Sequence, residues 1–306
     1  NAVAVLAEGK IKGLIAKEHL ATGDVEYEER WFQAWPSGLT EVWTAPDGQR
    51  FPIGNLIFDA QGVGRFAFEV CEDAWRGNRP GSRYAVEGAE LILNPSASWF
   101  SVGKHAQRRH MICQNSRADH CAYLYASLLG CDNTRLIFDG ALLIAVDGVL
   151  ISEGDRLRFC DSVLESAVVD LDALRRARRE VGSWRRQVSE ASAHPERAPQ
   201  VVHIARHSAP VEPPEAPPAP WLAPSTPHAD PSLAWLEREG LIEQHLAHQD
   251  LPHIELELAL SLGLDNYTKK ANIDRLALAL SGGRDSAMVA LLVHRMLHYR
   301  YPGATK

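Results

Sequence analysis

A chain of 306 residues with 45% apolar and 23% charged residues can bury a large core, which excludes collagen, coiled coil and wholesale disorder. Its 32 Lys and Arg against 39 Asp and Glu give a formal charge of −7 spread along the chain, so small molecules are expected as partners rather than nucleic acid or a membrane. No apolar run approaches the ~18 residues of a membrane span, the start NAVAVLAEGKIKG has no leader pattern, and five scattered cysteines argue for a reducing compartment, the cytoplasm.

The chain opens on an apolar strand pattern and stops soon after a helical one, which suggests a piece of a longer protein. Residues 1–6 and 11–16 flank AEGK and predict a hairpin with glycine at the positive-φ position. Short β-type runs follow at 66–70 (FAFEV) and 91–93 (LIL), and residues 104–118 suit a helix with Ala106, Met111, Ile112 and Cys113 as candidate buried positions. Strands are expected at 122–129, 136–138, 141–146 and 149–152, with D-G turns at 139–140 and 147–148, and a last strand at 168–171. A polar helix with six arginines, DALRRARREVGSWRRQ, comes next and reads as a solvated or interface-lining face. Strands interrupted by helices, with hairpins included, imply a mixed sheet covered by helices.

Nine of the 18 prolines lie between Pro210 and Pro231, which marks a linker. The organisation expected is therefore residues 1–192, a linker over 193–231, and a second unit over 232–306.

In that second unit LALAL at 276–280 reads as a buried strand running into Ser281-Gly282-Gly283-Arg284-Asp285-Ser286 and an apolar helix. Two glycines let backbone N–H groups approach an anion, and the serines and helix start add donors and partial positive charge, so the loop suits pyrophosphate. Asp285 would repel phosphate unless a divalent cation lies between them, which points to Mg²⁺ at Asp285. The segment LALALSGGRDSAM resembles the SGGxDS loop of the N-type ATP pyrophosphatases, and this resemblance implies ATP binding by Ser281, Gly282, Gly283, Arg284, Asp285 and Ser286.

In the first unit Cys71 ends FAFEV, where a rigid strand can present a nucleophile, and Lys17 ends the first hairpin in the same way. A nearby ammonium lowers a thiol's pKa, but a small buried cysteine is the equally available bland reading. Cys113 and Cys121 with His105, His110 and His120 lack zinc-ligand spacing and are expected to fill core. The blocks AKEHLATGDVEYEERWF, FEVCEDAW, LILNPSASWFSVGK and FDGALLIA resemble the nitrilase-type glutamine amidase domain, in which Glu, Lys and Cys hydrolyse an amide. The resemblance covers nearly all of residues 1–172. It implies Cys71 as nucleophile, Lys17 as the oxyanion-stabilising lysine, and Ser98 and Lys104 as glutamine-binding residues. The family's general-base glutamate lies upstream of the lysine hairpin, and neither Glu8 nor Glu18 takes its place, so the triad is expected to be incomplete.

The fold class that follows is α/β: a nitrilase-type α-β-β-α sandwich, N-terminally truncated, plus the start of a doubly wound parallel-sheet ATP pyrophosphatase domain. An amidase of this type joined to such a domain is similar to the glutamine-dependent NAD⁺ synthases. The resemblance implies a carbon–nitrogen ligase that uses ATP and Mg²⁺ to adenylate deamido-NAD⁺ and amidate it with ammonia from glutamine, as a homo-oligomer in the complete enzyme. Two alternatives stay open: an amidase fused to another ATP-dependent modifying domain, or a catalytically incomplete fragment.

Overall fold

The computed structural model describes residues 1–306 apart from 24, 133–134, 206–229, 243–248 and 303–306. Strands β1 (Ala2–Ala7) and β2 (Lys10–Ala16) form the expected antiparallel hairpin. Its turn places both Glu8 (φ 56°) and Gly9 (φ 70°) in the left-handed region, which a two-residue hairpin of this twist requires. Glu8 accepts that conformation while bridging Lys12 at 2.6 Å.

Three strands then follow that sequence patterning did not pick out: β3 (Thr40–Thr44), β4 (Arg50–Gly54) and β5 (Leu56–Ala60). β1, β2, β4 and β3 make a four-stranded sheet. β5 belongs to a seven-stranded sheet, in the order β12-β11-β8-β7-β6-β5-β13. The other members are β6 (Gly64–Phe68), β7 (Leu91–Ser96), β8 (Ala122–Ser127), β11 (Leu142–Val146), β12 (Val149–Glu153) and β13 (Gln200–Ile204). β6, β7 and β8 run parallel and the β11–β12 pair is antiparallel, so the sheet is mixed, as the pattern implied. A small pair, β9 (Leu129–Cys131) with β10 (Ile137–Asp139), stands apart from it.

The smaller sheet lies against the larger one through β2, which touches β5 and β13. Gly13 is needed there, because a Cβ would come within 2.8 Å of Leu56. Helix α1 (Pro80–Val86) packs on β6 and β7, and α2 (Lys104–Ala118) on β8, β11 and β12. Val5, Ile15, Leu56, Phe58, Ile92 and Ile112 from these elements share one core, each full burial of such a side chain being worth about 1.5–3 kcal/mol.

Several expectations are corrected. α2 has the predicted span and buries Met111 and Ile112, but Ala106 is exposed and Cys113 only half-buried, while His105 and Arg108 lie inside. They can do so because Glu153 receives His105 and Asp139 receives Arg108. Residues 168–170 form no strand, since no neighbour offers a ladder, and Leu171 already opens α3 (Leu171–Glu180). The arginine-rich helix breaks at Val181, giving a separate α4 (Gly182–Ser192). β13 falls inside the range assigned to the linker: it is the edge strand beside β5, in parallel register Gln200–Leu56 to Ile204–Ala60. The proline-rich part of the linker lies mostly outside the described residues.

From Asp230 onward a short helix α5 (Trp235–Arg238), a long α6 (Leu251–Lys270) and α7 (Arg284–Arg300) build a second core. Leu233, Trp235, Leu258, Leu262 and Tyr299 bury Leu157, with Phe159 and Leu129 packed alongside. Gly130 (φ +110°) lets α6 approach β9, where a Cβ would meet Asn266 at 2.3 Å. The strand expected at 276–280 is not formed. Its residues are exposed and pair with nothing among the described residues, because a buried parallel strand exists only with neighbours on its edges and faces. Among the described residues, no helix is long and apolar enough to cross a membrane.

Candidate functional site

β6 delivers the chain to Cys71 through Glu69 and Val70, and a 3₁₀ turn begins at Cys71 itself (Cys71–Trp75). Cys71 has φ 51°, a conformation that a side chain adopts only when its surroundings impose it. Asp73 imposes it in part: Oδ2 accepts the Val70 N–H at 2.9 Å, while Oδ1 accepts the His19 N–H at 2.8 Å. That second bond also fixes the segment just after β2, and with it Lys17, beside the cysteine turn.

Burial pushes the Cys71 thiol up from its ordinary range, and the Lys17 ammonium opposes the rise. The Ala97 backbone and the Ser96 side chain add smaller influences that also favour the thiolate, and the Glu26 charge disfavours it. Lys17 is 1% exposed, and its Nζ donates to Glu28 Oε2. Glu28 also accepts the Ala21 N–H at 2.7 Å. Burial alone would raise the Glu28 carboxyl, but the Ala21 N–H and the Lys17 ammonium outweigh it and hold it below the usual range. Glu26 behaves in the opposite sense, its carboxyl pushed up by burial despite Lys104. Lys104 opens α2 with Nζ 3.9 Å from the Trp99 ring centre, and burial lowers its pKa, as does Arg108. Ser98 is buried, its carbonyl accepting from Arg108 Nη2 at 3.0 Å.

Cys71 therefore feels the charge of Lys17, and Lys104 that of Cys71, while Ser98 stands on the segment that includes Ser96 and Ala97. Glu26 and Glu28 were missed in the sequence. The only signal was the acidic run EYEER at 26–30, which begins nine residues beyond Lys17, and acidic runs are usually solvated. Glu8 stays in its hairpin turn and Glu18 pairs with Arg83, so neither joins the cluster. All five cysteines are free, and Cys113, Cys121, His110 and His120 do not converge. His105, Glu153 and Asp230 do bring ligand atoms within 4.8 Å of one another. Their carboxylates are already matched by Arg109 and Arg156, so the group reads as part of an ion-pair network.

The second candidate site lies at the start of α7. Ser281 Oγ is 3.2 Å from Ser286 Oγ, the Ser286 hydroxyl donates to Gly283 O at 3.0 Å, and Gly282 has φ +82°. Residues 281–285 are exposed, with the first-turn N–H groups of a 17-residue helix open beside Asp285. The loop thus leads directly into α7, without the strand expected before it.

No family model matches the chain. The glutamine-dependent NAD(+) synthetase of Saccharomyces cerevisiae is 28% identical over 297 residues, which are 94% of this chain and 38% of that protein. The Bos taurus protein of the same name is 26% identical over 306 residues, 97% of this chain and 39% of the relative. Among solved structures, the glutamine-dependent NAD(+) synthetase of Cytophaga hutchinsonii superposes with a TM-score of 0.64 at 29% identity, over 97% of this chain and 36% of that one. That of Acinetobacter baumannii, solved with ADP, shares the fold at a TM-score of 0.58 and 18% identity, over 97% of this chain and 40% of its own. The chain thus spans well under half the length of the relatives it matches. Along nearly all of its own length it is similar, in sequence and in fold, to the glutamine-dependent NAD(+) synthetases.

Proposed function

We propose that this chain carries the glutamine-hydrolysing site, and the opening of the ATP site, of an enzyme that makes NAD⁺ by amidating deamido-NAD⁺. The observation that carries the reading is Cys71, a strained thiol at a strand end with the buried Lys17 ammonium facing it, on a chain similar to those synthetases along its length.

In this reading Cys71 attacks the glutamine carboxamide. Lys17, held by Glu28, stabilises the oxyanion where it forms, and a buried fixed cation is worth far more there than in water. Ser98 and Lys104 bind the amino-acid end of glutamine. The proton of the thiol needs an acceptor; Glu26, its affinity for protons raised by burial, is the carboxylate of this chain suited to take part. The ammonia released is used at the second site, where ATP activates the carboxylate of deamido-NAD⁺. At the loop, the hydroxyls of Ser281 and Ser286, the backbone of Gly282, Gly283 and Arg284, and the helix start form a donor set fitting phosphate. Asp285 is the one carboxylate in that set and would hold Mg²⁺ beside it, the cation neutralising phosphate charge. We assign residues 1–204 to the amidase unit and those from Asp230 onward to the start of the ATP-binding unit. A homo-oligomer in the cytoplasm, without nucleic acid, completes the proposal.

The test uses the protein together with the remaining length its relatives have. Cys71→Ala should abolish synthesis from glutamine and spare synthesis from ammonia, because only nitrogen delivery passes through the thiol. Lys17→Ala should behave likewise, and Asp285→Asn should reduce synthesis with either donor. Loss of both activities in folded Cys71→Ala, or of neither, would overturn the assignment.

A further inference from the structure

Helix α2 begins without a cap of its own. Its first flanking residue is Gly103, in the left-handed region at φ 77°, which has no side chain to receive the free N–H groups of the first turn, and no acid stands in that turn. Glu255 of α6 supplies an acceptor from 152 residues further on, its Oε2 taking the Gly103 N–H at 3.1 Å. A carboxylate at that end of a helix is also favoured by the helix dipole. Glu255 is 5% exposed, and its Oε1 accepts from Arg156 Nη2. Arg156 is itself fixed, donating to Ser232 Oγ at 2.7 Å and to Asp230 Oδ2 at 2.6 Å.

The stretch that Glu255 holds is the one that carries Ser98 and Lys104. At its start Arg108 Nη2 donates to the Ser98 and Trp99 carbonyls at 3.0 and 3.1 Å. In its middle the Phe100 N–H donates to Ile137 O at 2.6 Å, and the Phe100 side chain packs against the second core. At its end Gly103 rests on Glu255, and Lys104 follows, with Nζ turned back over the Trp99 ring. Both ends join one buried network: Arg108 Nη1 donates to Asp139 Oδ2 at 2.6 Å, and that oxygen stands 3.6 Å from Arg156 Nη1.

We propose that Glu255 is a positioning residue for glutamine: through the Gly103 N–H it fixes the start of α2, and with it the place from which Lys104 reaches the substrate, so that α6 completes the glutamine site. Glu255 contacts neither Cys71 nor Lys17 and acts only through residues 101–104. With its acceptor gone, the first turn of α2 opens more often and the Lys104 ammonium spreads over several positions. Binding of glutamine then weakens while the chemistry at Cys71 is left as it was. This role rests on the proposed reading of Ser98 and Lys104 as glutamine-binding residues, whereas the hold of Glu255 on Gly103 is independent of it.

The test uses the protein together with the remaining length its relatives have. Glu255→Gln keeps the size of the side chain but leaves one oxygen, which cannot serve both Arg156 and the Gly103 N–H. Losing a cap shifts the opening of a first turn about fivefold, so hydrogen exchange in the peptide covering residues 98–106 should quicken by about that factor, with exchange along α6 at the parent rate. The KM for glutamine should rise about three- to tenfold, with kcat and synthesis from ammonia unchanged. Should Glu255→Gln not fold, Glu255→Asp decides in the same way, since it keeps the charge beside Arg156 and lacks the reach to Gly103. Parent exchange over 98–106 in a folded variant overturns the hold, and faster exchange with the parent KM overturns its role in binding glutamine. Faster exchange along α6 with equal loss of synthesis from both donors would make Glu255 a structural residue and overturn the proposal as well. A parent protein that makes no NAD⁺ from glutamine would be the failure of the proposed function, and would overturn the glutamine role with it, while the exchange measurement still decides whether Glu255 holds the start of α2.

Discussion

The Lys17 ammonium is buried against the Glu28 carboxylate, eleven residues along the chain, and the pair stands beside the Cys71 thiol. Each partner justifies the other's burial, since an ammonium 1% exposed without a counter-charge would give up its proton or its position.

Lys17→Met keeps the length and apolar stem but removes that charge. Glu28 is left half-buried without its cation, and Cys71 loses the main interaction that favours its thiolate. The expected result is a loss of stability of about 1–3 kcal/mol, between the ranges for exposed and fully buried pairs. Alkylation of Cys71 should also shift to higher pH. Thermal unfolding and the iodoacetamide profile measure the two effects separately, and unchanged thiol titration would remove Lys17 from the site.

Arg156, fully buried, joins Asp139 of β10 to Asp230 and to Glu255 of α6. Burial opposes ionisation of Asp139 and Asp230, but the arginines beside them prevail and hold both carboxyls below the ordinary aspartate value of 3.8. A depressed carboxyl contributes stability that is complete above its unfolded pKa and lost as pH falls through the folded one. The attachment of α6 should therefore hold down to about pH 4 and fail below it, seen as faster amide exchange in α6 than in α2. Arg156→Met should loosen α6 already at pH 7 by about 3–5 kcal/mol, the cost of leaving buried carboxylates unpaired. Equal exchange of the two helices at pH 3 would contradict this.

Gly81 lies in the first turn of α1, where an added Cβ would stand 2.4 Å from Glu69 Oε1. Gly81→Ala should lower stability by about 1–3 kcal/mol through overpacking, despite the better helix propensity of alanine. The clash would also displace the carboxylate that accepts the Tyr123 hydroxyl and pairs with Arg79. A melting temperature equal to that of the parent would show that Glu69 can yield.

Leu276, Leu278 and Leu280 are exposed, Leu280 at 67%, and Met288 and Leu291 on α7 expose more apolar surface nearby. A patch of this kind drives association. The 306-residue polypeptide should form soluble oligomers at tens of micromolar, and Leu278→Asp with Leu280→Asp should reduce them, as light scattering would record. A monomeric parent at that concentration would refute the prediction.

Much of the fold was legible where the chain contacts itself locally. The first hairpin, the bounds of residues 104–118 as a helix, and β11 with β12 follow from short-range pattern and turn chemistry. β4 escaped because Pro52 and Gly54 interrupt its alternation, and β3 and β5 went with it although β3 pairs with β4 and β5 with β6 across short turns; only the pairings of β4 with β2 and of β5 with β13 join distant segments. β13 was concealed by its closeness to the proline-rich run. At 276–280 the opposite error arose: five apolar and small residues satisfy a strand pattern, but a strand is a relation to neighbours.

For the candidate site, the sequence by itself determined which residues are candidates: a cysteine and a lysine at the ends of apolar runs, and a glycine–serine–aspartate loop before an apolar helix. These are properties of residue type and near spacing. What only the tertiary structure decided is who surrounds them. That Glu28 neutralises Lys17, that burial presses on the Glu26 carboxyl near Lys104, and that Glu69 is held by Arg79, Gly81 and Tyr123 all depend on contacts between different segments of the folded chain. Desolvation and hydrogen-bond direction are set by three-dimensional neighbours, and no spacing rule along a sequence encodes them.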